Sequence, residues 1–175
     1  KCLILELGCG KGEYSLALAA EFPQSQFIGI DIQGERLWHG ATEALENNLN
    51  NVLFLRFQIE HIADYLPEHS VSEIWLSFPD PQLKKKNIKK RLTSPRFLNL
   101  YKKILKPNGL VHLKTDDQIL FDYSLETITE QAGTIIESHS GIKQAMKDNP
   151  TLNIQTTYEK KEIAGTIIYY IKFQL

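Results

Sequence analysis

Cysteine, methionine and tryptophan are scarce in this 175-residue chain, which contains two, one and two of them, respectively. Cys2 and Cys9 lie seven residues apart across a predicted strand and its turn, which argues against a structural disulfide and favours the reducing cytosol. The five histidines show no metal-ligand spacing, so we predict no metal site. No apolar run approaches the roughly 20 residues of a membrane-spanning helix, and we expect no signal peptide. These absences predict a soluble cytoplasmic protein.

The remaining composition is that of a globular domain. With 42% apolar and 23% charged residues, the chain differs from disordered, collagen-like and small disulfide-rich proteins. Its length allows one full hydrophobic core but is short for two. Since no internal repeat, low-complexity tract or linker divides it, residues 1–175 are predicted to form a single domain.

Positive charge is concentrated in one segment, although the net charge is only −1. Residues 84–103 contain no acidic residue and nine basic ones, namely Lys84, Lys85, Lys86, Lys89, Lys90, Arg91, Arg96, Lys102 and Lys103. Subtracting these nine from 20 leaves 11 basic residues against 21 acidic ones in the rest of the chain. This asymmetry predicts a local contact with a polyanion. The alternative is a basic loop that is simply solvated.

Short apolar runs alternate with segments of helical periodicity. The runs predict buried strands at residues 2–7, 26–31, 52–57, 72–78 and 110–115. The periodic segments predict helices around residues 13–22, 37–45, 97–105 and 121–132, with Pro107, Asn108 and Gly109 ending the third. Asp116 or Asp117 can cap the fourth helix. The tail predicts a pair of strands at residues 134–138 and 163–173.

This order of elements predicts an α/β fold. Its central sheet is expected to be Rossmann-like and mostly parallel, with helices on both faces and an antiparallel C-terminal edge. Ligands of such sheets bind beyond the carboxyl ends of the strands. The segments that converge there are residues 6–12, Asp31, Gln58, residues 78–81 and residues 115–117.

A glycine-rich loop follows the first strand and opens the first helix. It reads Glu6-Leu-Gly8-Cys-Gly10-Lys-Gly12, and Glu13 occupies the position where a dinucleotide fingerprint has its third glycine. Because a carboxylate there would repel pyrophosphate, the pattern instead favours S-adenosylmethionine, whose amino-acid end is cationic. We expect Glu6 to orient the loop or the ligand ammonium, and Asp31 to accept hydrogen bonds from the ribose. A plain tight turn, and a helix cap at Asp31, are the alternatives.

The loop resembles the first motif of class I S-adenosylmethionine-dependent methyltransferases. A more specific resemblance lies in residues 78–92, FPDPQLKKKNIKKRL, which are similar to the signature F-P-D-P-W-x-K-x-R-H-x-K-R-R-L of tRNA (guanine-N7)-methyltransferases. Thr115-Asp116 and the T-x-x-E sequence of residues 156–159 also match. The resemblance implies a class I methyltransferase fold, S-adenosylmethionine as cofactor, tRNA as partner and methylation of N7 of the guanine at tRNA position 46.

The resemblance also implies roles for individual residues. Asp80 corresponds to the catalytic residue, and Gln58 lies where the family places a residue next to the adenine. Four residues match substrate positions, namely Lys84, Asp116, Thr156 and Glu159. The remaining lysines and Arg91 are expected to contact tRNA phosphates. The alternatives are a turn-forming aspartate at Asp80, a solvated lysine at Lys84, a helix cap at Asp116 and a surface ion pair between Glu159 and the neighbouring lysines.

The chain departs from the family pattern in several places. Lys86, Gln82, Asn87 and Gln58 replace an arginine, a tryptophan, a histidine and an aspartate, respectively. Family members usually carry several dozen residues before the first strand, so we expect that segment to be trimmed or absent here. We expect both tryptophans, Trp38 and Trp75, to lie in the core, and either a monomer or a homodimer. Other hypotheses are a methyltransferase of another substrate, a noncatalytic RNA-binding module and, more distantly, a nucleotide-dependent oxidoreductase.

Overall fold

Seven strands form one sheet in the computed structural model, which describes residues 2–143, 145–161, 163 and 165–175. They are β1 (Leu3–Leu7), β2 (Gln26–Asp31), β3 (Val52–Arg56), β4 (Val71–Ser77), β5 (Leu105–Thr115), β6 (Thr134–Ser140) and β7 (Tyr169–Gln174). The α-helices are α1 (Glu13–Glu21), α2 (Gly34–Glu46), α3 (Pro95–Ile104), α4 (Gln118–Glu130), α5 (Ala145–Asp148) and α6 (Thr157–Lys161). Residues Ile59–Asp64, Lys85–Lys90 and Pro150–Asn153 form 3-10 helices.

The strand order β3-β2-β1-β4-β5-β7-β6 confirms the predicted topology. The first five strands are parallel, whereas β7 pairs antiparallel with both β5 and β6. The chain moves outward from β1 to β3 and then returns to β4 on the other side of β1. This reversal opens a crevice at the carboxyl ends of β1 and β4, where open α/β sheets bind ligands.

Hydrophobic clusters cover both faces of the sheet, as predicted. One cluster joins the sheet to α3 and α4 and includes the fully buried Leu98, Tyr101 and Ile128. The other joins the opposite face to α1 and α2, and includes Tyr14 and Leu152. The segment around Leu152, between β6 and β7, is therefore part of the core.

The structure corrects several boundaries. β5 begins at Leu105, directly after α3, because buried Leu105 pairs with Val71 before the register shifts. The helix therefore ends before Pro107, not at it. The last strand covers only Tyr169–Gln174, so the prediction for residues 163–168 is wrong where the structure describes them, and Ala164 lies outside the described residues.

The two tryptophans have different environments. Trp75 on β4 is 3% exposed, as predicted, whereas Trp38 on α2 is 64% exposed. The buried face of α2 consists of Leu37, Gly40 and Ala44, which have helical spacing, and Trp38 lies beside this stripe. The prediction that Trp38 is a core residue is therefore wrong. No helix in the part of the chain that the structure describes is long and apolar enough to cross a membrane.

Candidate active site

The glycine loop makes a tight turn from β1 into α1. Gly8, Gly10 and Gly12 all have left-handed backbone, with φ angles of 73°, 56° and 69°. At Gly12 a side chain is also excluded by space, since a Cβ built there would lie 2.0 Å from Cε1 of Phe54. The loop is a tight turn, which was the alternative to a ligand-binding loop. Its backbone also lies close to the crevice.

Glu6 holds the start of α1. Gly12 at the N-cap has no side chain to accept a helical N–H. The Glu6 carboxylate takes this part: Oε2 accepts hydrogen bonds from the Ser15 backbone N–H at 2.9 Å and from the Ser15 hydroxyl at 2.5 Å. Burial raises the pKa of Glu6 to about 7. Of the two expected roles, the structure therefore supports orientation of the loop.

Asp31 links the glycine loop to the start of α2. Its Oδ2 accepts a hydrogen bond from the Gly10 N–H at 2.8 Å, and its Oδ1 accepts one from the Gln33 N–H at 2.8 Å. The second bond forms a turn directly before α2, whose N-cap is Gln33 without a side-chain capping bond, so the helix-cap alternative for Asp31 is wrong. Each carboxylate oxygen can accept a further hydrogen bond. Asp31 can thus hold the loop and still bind ligand hydroxyls.

Gln58 lies beside a cavity near Asp31. The cavity has a volume of about 510 Å³ and is lined by Ile32, Arg56, Phe57, Gln58, His61 and Tyr65. Gln58 is exposed at the N-cap of the 3-10 helix Ile59–Asp64. Aromatic rings at Phe57 and Tyr65, with polar groups at Arg56, Gln58 and His61, can contact both the face and the edge of a flat heterocycle.

Asp80 is exposed just beyond β4. Its Oδ1 accepts a hydrogen bond from the Gln82 N–H at 2.8 Å, so the turn-forming role is present. Phe78 and Gln82, on either side, have φ angles of 50° and 48°, which are unfavourable for residues other than glycine. The Phe78 N–H donates to the Lys114 carbonyl at 2.8 Å and fixes the start of this loop, residues 78–82, which we call the Asp80 loop. Such strain is concentrated at functional sites.

Arg91 has a different role from the predicted phosphate contact. It is 4% exposed, its Nε donates to the Pro81 carbonyl at 2.9 Å, and its guanidinium carbon lies 4.4 Å from the centre of the Tyr123 ring. Because the Arg91 guanidinium is buried against Tyr123, it is not available to contact tRNA phosphates. The prediction for Arg91 is therefore wrong. Arg91 instead supports the Asp80 loop from below.

The lysines near Asp80 remain on the surface. The exposed ones are Lys84, Lys85, Lys86, Lys89 and Lys90, in and around the 3-10 helix Lys85–Lys90. The next turn brings this basic segment back to the cofactor side, because a Cβ built on Gly8 would lie 3.7 Å from Leu92 Cδ1. Lys102, by contrast, donates to the Gln131 carbonyl at 2.7 Å on another part of the molecule.

Asp116 and α6 complete the edge of the crevice. The Tyr158 hydroxyl donates to Asp116 Oδ2 at 3.1 Å, and the Tyr158 ring lies 5.5 Å from that of Phe78. Asp117, not Asp116, caps α4 by accepting from the Leu120 N–H at 2.7 Å. The helix-cap alternative for Asp116 is therefore wrong.

Thr156 and Glu159 form a capping box at the start of α6. The Thr156 N–H donates to Glu159 Oε2 at 3.0 Å, and the Glu159 N–H donates to Thr156 Oγ1 at 3.2 Å. Glu159 is 4% exposed and pairs with buried Lys114 at 2.8 Å. The alternative of a surface ion pair with the neighbouring lysines is therefore wrong.

Comparison with known proteins identifies the relatives of this chain. A family model described as "Putative methyltransferase" matches residues 1–167. The tRNA (guanine-N(7)-)-methyltransferase of Christiangramia forsetii is 46% identical over 175 residues, which cover 99% of this chain and 78% of that protein. The protein of the same name from Lactobacillus gasseri is 36% identical, with 97% and 78% covered. The chain belongs to the tRNA (guanine-N7)-methyltransferase family.

Solved structures confirm the methyltransferase fold. The 16S rRNA methyltransferase KamB superposes with a TM-score of 0.74 at 13% identity, over 100% of this chain and 88% of that one. A 30S ribosomal A1408 methyltransferase from an uncultured bacterium gives a TM-score of 0.71 at 20% identity, over 99% and 87%. At this identity the likeness concerns the fold alone. The predicted fold class and the resemblance to the tRNA (guanine-N7)-methyltransferase family are confirmed.

Several contacts of this family member were not predicted from its sequence. The sequence predicts for Glu13 only that it disfavours pyrophosphate. In the structure, its carboxylate accepts one hydrogen bond from the Thr157 N–H at 2.7 Å and another from the Thr157 hydroxyl. Lys114 and Tyr158 were not singled out. The T-x-x-E pattern of residues 156–159 could have predicted the capping box. No sequence pattern near Lys114 predicts which residues it contacts.

Proposed function

We propose that this chain transfers the methyl group of S-adenosylmethionine to N7 of the guanine at position 46 of tRNA. The observation that carries the proposal is the position of the Asp80 loop, which follows a strand adjacent to β1 and leads directly into an exposed lysine segment. The relatives' names supply the substrate class. A tRNA substrate would place the reaction in the cytoplasm, and the oligomeric state remains a prediction.

The residues at the glycine loop fit this cofactor. A Cβ built on Gly8 or Gly10 would make only ordinary van der Waals contact, at 3.7 Å from Leu92 Cδ1 and 4.0 Å from Arg36 Nη1, so neither backbone position is crowded by the protein. We assign the ribose to Asp31, the adenine to the cavity beside Gln58, and the methionine end to the glycine loop. When bound, S-adenosylmethionine supplies an electrophilic methyl group on a sulfonium centre. Glu6 acts on this site only by holding the loop.

Asp80 would select guanine and stabilise its charge. N7 of guanine carries a lone pair and no proton, so no general base is needed and positioning is most of the task. The Asp80 carboxylate can accept hydrogen bonds from the N1–H and the amino group of guanine. It also offsets the positive charge that the purine acquires during methylation. Asp116, Lys84 and Thr156 are proposed to hold the flipped base or its ribose.

The exposed lysines would hold the tRNA backbone. We expect these lysines to contact phosphates and not base edges, so they would position the tRNA and raise its affinity without a sequence preference. They are Lys85, Lys86, Lys89 and Lys90. Because each phosphate contact releases a counterion, tRNA affinity should fall steeply with salt.

Mapping the methylated nucleoside tests the proposed function. We would incubate the protein with unmodified tRNA and labelled S-adenosylmethionine, and analyse the digested RNA by mass spectrometry. The expected product is N7-methylguanine at position 46, absent from a tRNA in which adenine replaces that guanine. Labelling of a small acceptor with none in tRNA would overturn the proposal, as would binding of tRNA without any methyl transfer.

A further inference from the structure

A fully buried lysine lies beneath the Asp80 loop. Lys114 on β5 has no exposed surface, and its ammonium lies 5.5 Å from the centre of the Phe78 ring and 5.4 Å from that of Tyr14. An ammonium is a costly group to bury unless each of its three protons finds an acceptor. The positions of the acceptors around Lys114 Nζ therefore show which segment the lysine holds.

The acceptors around the ammonium all belong to one segment of the chain. Lys114 Nζ lies 2.8 Å from Glu159 Oε1, 3.0 Å from the Ile154 carbonyl and 3.3 Å from the Leu152 carbonyl. These acceptors belong to residues 152–159, which contain the end of the 3-10 helix Pro150–Asn153 and the start of α6. Burial lowers the pKa of Lys114, and the Glu159 carboxylate opposes this shift.

Glu159 uses both oxygens within the protein. Oε1 faces Lys114, and Oε2 accepts from the Thr156 N–H. With 4% of its surface exposed, this carboxylate has no open path to a bound nucleotide. The family resemblance implies a substrate role for Glu159, and the geometry shows how it could have one without touching tRNA.

The segment held by Lys114 reaches three parts of the site. Thr157 donates to Glu13 directly after the glycine loop, Tyr158 packs against Phe78 of the Asp80 loop, and the Tyr158 hydroxyl donates to Asp116. Tyr158 is 42% exposed and thus only partly covered by these contacts. A small displacement of α6 would therefore move Tyr158 away from Phe78 and Asp116 on the substrate side.

We propose that the Lys114–Glu159 ion pair is a positioning device that fixes Tyr158 beside Phe78 and Asp116, so that Glu159 affects methyl transfer through α6 and not by contact with tRNA. The proposal rests on the proposed function. Lys114 is thereby a positioning residue of the site. A displacement of about 1 Å at a site can cost roughly 100-fold in rate.

A double-mutant cycle tests the pairing. We expect Lys114→Met and Glu159→Gln each to lower kcat for tRNA methylation roughly 100-fold, and the double variant to be no worse than either single one. With its oxygen in the place of Oε2, glutamine preserves the capping box and turns its NH2 group toward Lys114, so Glu159→Gln removes both the charge and the acceptor of the ion pair. The dissociation constant of S-adenosylhomocysteine should change less than twofold. A near-normal Lys114→Met enzyme with an inactive Glu159→Gln enzyme, or additive effects, would overturn the proposal.

Lys172→Met provides the matched control. Lys172 pairs with Glu137 at 2.8 Å between β7 and β6, so this variant also breaks a lysine–glutamate pair, but away from the crevice. Its kcat should remain within twofold of the wild type. A loss equal to that of Lys114→Met would mean that general destabilisation explains both, and would overturn the proposal.

Two further measurements cover a variant that does not fold and a wild type that does not methylate tRNA. Lys114→Gln/Glu159→Gln replaces the charged pair with two neutral amides that can hydrogen-bond to each other, and it keeps an oxygen on residue 159 for the Thr156 N–H. It should keep at least a tenth of the wild-type kcat, and a value no higher than that of Glu159→Gln would contradict the positioning role.

If the wild type gives no N7-methylguanine, the proposed function fails, yet hydrogen exchange still tests whether the ion pair positions α6. Exchange at residues 152–161 should rise in Lys114→Met and not in Lys172→Met, and unchanged exchange would refute it.

Discussion

The cofactor side and the substrate side of the crevice are built in different ways. On the cofactor side, Glu6 holds Ser15 nine residues away, and Asp31 holds Gly10 across 21 residues. On the substrate side, Lys114 holds Ile154 across 40 residues, and Asp116 holds Tyr158 across 42. The first side is one turn between two strands, whereas the second is assembled from segments that meet only in the folded chain. Substitutions should therefore affect ligand binding on one side and catalytic geometry on the other.

The largest effect is expected where the substrate side meets the chemistry. Asp80→Asn keeps an oxygen to accept the Gln82 N–H, so the turn survives while the charge is lost. We expect kcat for N7-methylguanine formation to fall roughly 100- to 1000-fold, as for other groups that stabilise developing charge. Affinity for S-adenosylhomocysteine, measured by calorimetry, should stay within twofold. Equal loss of both would place Asp80 on the cofactor side and break the comparison.

The corresponding substitution on the cofactor side is Gly12→Ala. A Cβ at Gly12 would overlap Phe54, and the residue has a left-handed φ, so we expect about 3 kcal/mol of lost unfolding free energy together with weaker cofactor binding. Gly141→Ala is the matched control, since Gly141 also has a positive φ but no atom within 4 Å of a built Cβ. Urea unfolding compares the two. Similar losses would show that backbone strain, and not the contact with Phe54, makes Gly12 necessary.

The same contrast explains which parts of the molecule could be predicted from the sequence. The parallel strands and the glycine loop have signals within a few residues: apolar runs, helical spacing and left-handed glycines. The positions of Asp31 and Gln58 followed from the rule that ligands bind at strand ends. By contrast, Arg91 has the same chemistry as the surface lysines beside it, and only the fold buries it against Tyr123. Lys114 interrupts a buried strand, but its acceptors lie in a segment that no local pattern connects to it.

A pH experiment sharpens the description of the cofactor side. Because burial raises the folded-state pKa of Glu6 from 4.5 to about 7, the protonated form is favoured in the folded state. The stability from this group is fully present below the unfolded pKa and is lost as pH rises through about 7. Glu6→Gln is neutral at every pH and can still accept from Ser15.

The difference in unfolding free energy between Glu6→Gln and the wild type should therefore change by about 2 kcal/mol between pH 5 and pH 8, in favour of the variant at the higher pH. Urea unfolding at the two pH values measures it. The exposed Glu21 on α1 supplies the control, since Glu21→Gln should show no such change. A difference that stays constant with pH for Glu6→Gln would mean that the buried carboxyl remains ionised throughout this range.

The smallest expected change in kcat distinguishes a buried basic residue on the substrate side, Arg91, from an exposed one, Lys89. Arg91→Met removes the hydrogen bond to the Pro81 carbonyl and should lower kcat about tenfold by loosening the Asp80 loop, without changing the salt dependence of tRNA binding. Lys89→Met removes an exposed cation and should reduce the slope of log affinity against log salt by about 1, with kcat unchanged. Filter binding at several salt concentrations and single-turnover methylation measure the two quantities. If Arg91→Met reduces the salt slope as Lys89→Met does, then Arg91 reaches phosphate in the complex, and its buried position under the Asp80 loop does not describe the tRNA-bound enzyme.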